Sequence, residues 1–260
     1  MRLSRTILPL LSLTMTQPVS AADKAPDASA NKLYELRVYY APPGKLDALH
    51  ARFRDHTVKL FEKHGMTNVG YWVPLENPDN KLIYVLSYPD MDARKKSWAG
   101  FLADPEWQKA KTASEAAGKL VAKIEESYLS PTDYSPAVKL GKSDKERVFE
   151  LRTYTTTPGN LEGLHARFRD HTVKLFEKHG MTNLWYWTLA KGQKNDDVTL
   201  IYFLAHPSTE ARTKGFDAFR VDPDWVKARD ASEAKAGGSL TAKDGVKFVL
   251  LKPTDYSPIK

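Results

Sequence analysis

The sequence predicts an α+β fold: two tandem ferredoxin-like βαββαβ domains that pair sheet to sheet as an intrachain pseudo-dimer. Two observations carry this expectation. Residues 49 to 68, LHARFRDHTVKLFEKHGMTN, recur without change at 164 to 183, and the similarity extends to both ends of each copy. Within a copy, strand-like and helix-like segments follow the order β-α-β-β-α-β, a unit with both helices on one face of a four-stranded antiparallel sheet. The other face of that sheet needs a cover. The same face of the second copy supplies it, so the copies close on each other.

Each element of the unit has its own local reason. Leu33 to Tyr40 is rich in β-formers, and Pro42-Pro43-Gly44 then forces a turn. A helix is predicted from about Lys45 to His64, stopping at Gly65. At 100° per residue, Leu46, Leu49, His50, Phe53, Thr57, Leu60, Phe61 and His64 share one face. Arg52, Asp55, Lys59 and Glu62 fall on the other. Met66 to Val73 and Leu82 to Ser87 form a hairpin around Glu76-Asn77-Pro78-Asp79-Asn80. The run Leu82-Ile83-Tyr84-Val85-Leu86 is apolar without alternation, as in a strand covered on both faces. A second helical region starts near Asp92 and restarts at Asp104-Pro105, an N-cap followed by proline at the first helical position. The last strand runs from about Lys123 to Leu129 and ends at Pro131.

The repeat also sets the boundaries. Tyr34-Glu35-Leu36-Arg37 answers Phe149-Glu150-Leu151-Arg152, and Pro131-Thr132-Asp133-Tyr134-Ser135-Pro136 answers the run from Pro253 to Pro258. The offset grows along the copies through two small insertions, both in polar stretches where loops tolerate them. The domains are therefore 33–136 and 148–258, joined by a charged segment at 137–147.

Residues 1–21 carry Arg2 and Arg5, a short apolar run from Ile7 to Leu13 and the small residues Val19-Ser20-Ala21, the pattern of a cleaved signal peptide. A linker at 22–32 follows. The expectation is an exported bacterial protein, periplasmic or secreted, without stable membrane insertion, because no stretch reaches the ~20 apolar residues of a spanning helix. Cysteine is absent, which excludes disulfides, thiolate catalysis and Cys-ligated metals. The formal charge of +7 is spread among alternating acids and bases. A nucleic-acid partner would instead call for a basic stripe.

Glu35-Leu36-Arg37, His56…His64-Gly65, Trp72, Arg94 and Asp104-Pro105-Glu106-Trp107 together resemble the NIPSNAP family. The second copy repeats them as Glu150-Leu151-Arg152, His171…His179-Gly180, Trp187, Arg212 and Asp222-Pro223-Asp224-Trp225. The resemblance implies a dimeric α/β barrel with two copies in one chain and a poorly defined biochemical role. Similar barrels in other families include small-molecule monooxygenases and haem-binding proteins, whose ligand sits between helices and sheet.

No single motif dictates a chemistry. The candidate pocket residues are His50, His64, Tyr84, Arg94 and Trp98, with His165, His179, Tyr202 and Arg212 in the second copy. Each also has a structural reading: a hydrogen-bonded core histidine, a helix-end cap, a packing tyrosine, a cation–π pair. Glu35 and Arg37 lie two apart on a strand, so they share a face; pointing into the barrel, they and Glu150 and Arg152 would form a paired charge network between the copies. A metal site is not expected, since His50 and His64 are about 21 Å apart along a helix.

No cofactor is predicted, with haem on His50 or His165 as the alternative. Three functions compete: an exported binder of a small apolar or aromatic ligand, in the barrel or the helix–sheet cleft; a monooxygenase-like or haem-binding oxidoreductase using His50 and His165; and a structural interaction module. Partners are a small molecule and the two domains themselves, with further homo-oligomerisation open. Val69-Gly70 becomes Leu184-Trp185 in the second copy, which leaves room for the two pockets to differ, and whether both are open is not decided by the sequence.

Overall fold

The computed structural model describes residues 32–138, 140–141 and 146–260. The signal peptide and nearly all of the 22–32 linker lie outside the described residues, as do 139 and 142–145 of the joining segment.

The first domain contains β1 (Leu33–Tyr40), α1 (Leu46–Arg52), α2 (Val58–Lys63), β2 (Thr67–Pro74), β3 (Lys81–Tyr88), α3 (Met91–Ala103), α4 (Pro105–Ser114) and β4 (Lys123–Pro131). The second contains β5 (Val148–Thr156), α5 (Leu161–Arg167), α6 (Val173–Lys178), β6 (Thr182–Leu189), β7 (Thr199–His206), α7 (Thr209–Val221), α8 (Pro223–Ala236) and β8 (Thr241–Pro253). The eight strands close into one barrel in the order β1-β3-β2-β8-β5-β7-β6-β4. Within each domain the pairing is antiparallel, and two short ladders join the domains. These run from Trp72↔Pro253 to Pro74↔Leu251 and from Leu129↔Leu189 to Pro131↔Trp187. The predicted sheet-to-sheet pairing is thus a full closure, which removes the free edges two open sheets would leave.

Side chains fill the barrel. Leu36, Trp72, Val85, Phe149, Trp187 and Phe203 meet there in one buried cluster. Trp185 and Trp187 stack with centroids 5.7 Å apart and planes within 9°. A Cβ on Gly70 would lie 2.1 Å from the Trp72 ring, so glycine is what lets that indole fold back over its own strand. The Gly70/Trp185 difference therefore concerns barrel packing, not a helix-side pocket. On the outside, each sheet packs against its own helices through a separate apolar cluster, one around Phe53, Phe61 and Tyr84, the other around Phe168, Phe176 and Tyr202. The apolar third strand is covered on both faces, with Ile83 and Val85 inward and Leu82, Tyr84 and Leu86 outward.

Asp104 caps α4 as predicted, its carboxylate accepting from the Glu106 amide at 2.8 Å. The first helix departs from prediction. A π-helical turn at Phe53–Thr57 separates α1 from α2, and Phe168–Thr172 repeats it. The wider turn rotates the helix faces relative to an uninterrupted helix, so Arg52, expected on the solvent side, is buried. Thr57 Oγ1 donates to the Arg52 carbonyl at 3.1 Å, and Thr172 to that of Arg167 at the same distance.

The Pro-Thr-Asp-Tyr-Ser-Pro segments cross between domains. Asp133 takes both Arg169 nitrogens at 2.6 and 2.8 Å, Tyr134 meets His165, and Ser135 Oγ accepts from the Tyr186 amide at 3.0 Å. The C-terminal copy reciprocates: Asp255 with Arg54, Tyr256 with His50, Ser257 with the Tyr71 amide. Two matched clasps hold the barrel shut.

Candidate functional site

On β1, Tyr34, Leu36 and Val38 pack into the barrel, and strand alternation sends Glu35 and Arg37 outward, beneath α3. This corrects the expected charge network between copies. Glu35 with Arg37, and Glu150 with Arg152, form two separate clusters, one under the helices of each domain. The apolar interior could not host four charges, whereas the helix side supplies donors.

Glu35 is fully buried and accepts from Arg37 Nη1 at 2.5 Å, Arg94 Nη2 at 2.8 Å, Trp98 Nε1 at 2.9 Å and the Tyr88 hydroxyl at 2.9 Å. Burial pushes its pKa up, but the Arg94 bonds, the Arg37 charge and the Trp98 bond outweigh this and hold it below the usual carboxylate value. Glu150 keeps the two-arginine frame, with His206 in place of Tyr88 and no counterpart of the Trp98 donor because Phe216 stands there: Arg212 Nη2 lies at 2.8 Å and His206 Nε2 at 3.0 Å. Its pKa is lowered to about 2, burial again being outweighed by the bonds from His206 and Arg212 and the charge of Arg152.

Above the first cluster lies a cleft of about 690 Å³ between the sheet and the helices. Aromatic walls come from Tyr39, Phe53, Phe61, Trp98, Phe101 and Trp107. Six cations line it, Arg37, Arg52, Arg94, Lys111, Lys119 and Lys123, against only Glu115 and Glu126. Each buried arginine has one half-exposed or rim carboxylate. Arg37 Nη1 reaches Glu126 at 2.7 Å, and Arg52 Nη1 reaches Glu115 at 2.9 Å. Arg37 also lies 4.4 Å from the Trp98 ring centre and Arg52 5.2 Å from that of Trp107. The arrangement can hold a flat apolar body and neutralise an anionic end.

In the second domain, Phe216 stands for Trp98, Arg220 for Leu102 and Phe248 for Glu126. Phe248 lies over the arginine pair, 4.5 Å from Arg212 and 5.4 Å from Arg152. The main cleft of this domain lies elsewhere, between α5 and α8, at about 420 Å³.

The other sequence candidates divide clearly. Arg94 and Trp98 line the first-domain cleft. Arg212 serves Glu150. His50 and His165 each hydrogen-bond a tyrosine hydroxyl through Nδ1 at 2.8 Å, Tyr256 and Tyr134 respectively, in the interdomain clasps. Burial lowers both histidine pKa values and raises those of both tyrosines, so each bond joins a neutral imidazole to a neutral phenol. His64 and His179 bond Asp104 and Asp222 at 2.7 Å, tying the first helix to the α4 and α8 caps. Bonds from His64 and Lys63 lower the Asp104 pKa, and bonds from Lys178 and His179 lower that of Asp222. Tyr84 and Tyr202 are fully buried with unpartnered hydroxyls. Neither lines the main cavities. Arg52, Glu115 and Glu126 were not anticipated from the sequence; the Glu126/Phe248 mismatch between copies was the available signal. No histidine lines the first-domain cleft, so its residues do not fit haem ligation through His50. Among the described residues, no three His, Cys, Asp or Glu side chains gather as a metal site.

The family model described as NIPSNAP matches residues 34–136 and again 149–258. The chain belongs to the NIPSNAP family. It is 29% identical over 227 residues to a NipSnap homologue of Dictyostelium discoideum, covering 86% of this chain and 90% of that one. It is also 29% identical over 236 residues to NipSnap homologue 3B of Mus musculus, covering 90% and 89%. Among solved structures, an anthrone oxidase-like protein superposes with a TM-score of 0.58 at 12% identity, covering 90% of this chain and 96% of that one. That likeness concerns the fold alone. The two NIPSNAP domains share a frame, and among their differences Glu126 of the first is matched by Phe248 of the second.

Proposed function

We propose that this NIPSNAP protein binds a small, flat, apolar or aromatic molecule in the helix–sheet cleft of its first domain. The observation that carries the reading is the cleft itself: about 690 Å³ with six aromatic walls, beside a barrel whose centre is packed. Ligand pockets commonly span roughly 300–1,000 Å³ and combine apolar walls with a few placed polar groups. The clasp engagement of His50 and His165 weighs against chemistry at those residues, and binding is the simpler use of the cleft. The leader-like residues 1–21 support a role outside the cytoplasm, and the proposal extends to that location.

Native mass spectrometry of protein lacking residues 1–21, with calorimetric titration of naphthalene-sized compounds, tests the reading. Retained or added ligand should bind in the micromolar range and weaken at least about tenfold in Trp98→Ala or Trp107→Ala, since aromatic walls carry much of such affinity. A protein recovered empty that binds no probe below millimolar concentration overturns it.

A further inference from the structure

The cleft holds an unequal ion pair. Arg37 is buried, with 7% of its side chain exposed, whereas its partner Glu126 is 42% exposed and lines the cleft. Glu35 beneath it accepts five hydrogen bonds and sits at full burial, so it is fixed in place. Glu126 is held by Arg37, by the Tyr128 hydroxyl at 2.8 Å and, more distantly, by Arg94 at 3.8 Å. It is the replaceable carboxylate of the set.

The second domain shows the same frame without it. Arg152 and Arg212 face the single carboxylate Glu150, and the ring of Phe248 occupies the position of Glu126. The arginine pair therefore tolerates loss of the second carboxylate when an aromatic ring lies over it. An incoming molecule carrying both a ring and a carboxylate would reproduce both arrangements at once.

Building on the proposed ligand site, we infer that the first-domain cleft selects aromatic monocarboxylates, with the ligand carboxylate displacing Glu126 from Arg37. Glu126 acts as an internal competitor that sets affinity and disfavours neutral ligands no further than the cleft walls do. Of the four other cations, Arg52 is paired with Glu115 and Lys123 with Glu125, and Lys111 and Lys119 remain to favour approach of an anion, so binding weakens as salt rises. Charge-assisted contact with a guanidinium is the strong interaction of the set.

The test compares 2-naphthoate with neutral 2-naphthalenemethanol by calorimetry on the wild-type chain, Glu126→Gln and Glu126→Phe. The expected result is naphthoate favoured over the alcohol, naphthoate affinity raised about tenfold or more in Glu126→Gln through removal of a like charge, and unchanged alcohol affinity in that variant. Glu126→Phe, which copies the second domain, should lose naphthoate binding. Unchanged alcohol binding also shows that Glu126→Gln is folded. If the alcohol binds as well as naphthoate, or Glu126→Gln leaves naphthoate affinity where it was, the carboxylate assignment falls and the cleft remains a ligand site. If neither compound binds any form, the ligand site falls as well.

Discussion

Glu35 and Glu150 are anionic at full burial because each has enough donors to replace its lost water. Removing the charge leaves two guanidiniums under the helices with too few acceptors. Glu35→Gln should therefore cost about 3–5 kcal/mol, the usual penalty for breaking a buried pair from one side, read as a lower urea midpoint. The same groups set the acid behaviour. Glu150, with its folded pKa lowered to about 2, contributes stability above its unfolded value of 4.5 that is lost as pH falls towards 2. The full shift corresponds to on the order of 3 kcal/mol. His50 and His165 are bases held below 6.5 by burial, so the unfolded chain takes up protons first and stability starts to fall below about pH 6.5. Two stages of acid destabilisation are expected in denaturation across pH. The upper stage should shrink in His50→Gln/His165→Gln. Strand alternation made the shared face of Glu35 and Arg37 legible in the sequence. Which face points inward depends on what the other strands present, and that is not a local property.

At the scale of elements, the repeat made the order β-α-β-β-α-β and the loop positions readable, and the capping residue at Asp104 marked a helix restart. The π-helical turn was not readable, because FRDHT carries no proline or glycine to announce it. Its effect is large for the site: it turns Arg52 into the cleft. Thr57 satisfies the Arg52 carbonyl, so Thr57→Val should cost about 1 kcal/mol and loosen Arg52 against Glu115, visible as faster amide exchange in α1 and α2. In β2, Gly70→Ala should displace the Trp72 ring and cost about 1–3 kcal/mol through overpacking. The equivalent position already carries Trp185, whose neighbour Trp187 is arranged differently, so the two strands are not interchangeable. A lower melting temperature with altered near-ultraviolet dichroism is the expected signature.

For the molecule as a whole, duplication supplies both halves of a barrel within one chain, and the clasps at 131–136 and 253–258 lock the halves reciprocally. The repeated Pro-Thr-Asp-Tyr-Ser-Pro was plain in the sequence, but its crossing was not, since contacts across a closure have no local signature. Replacing Asp133 and Asp255 together by alanine should weaken closure only modestly, because these arginine pairs are exposed to solvent and screened by it. Losing Tyr134 and Tyr256 should cost more, through buried ring packing. The same closure leaves the helix sides of the two domains free to diverge, and Glu126 and Phe248 mark where they did. One domain is thus assigned the ligand, while the other closes the barrel beside it. Calorimetric stoichiometry with 2-naphthoate tests this most directly: one molecule bound per chain, abolished by Glu126→Phe, is the predicted result, and two equivalent sites per chain, or binding untouched by that substitution, would contradict it.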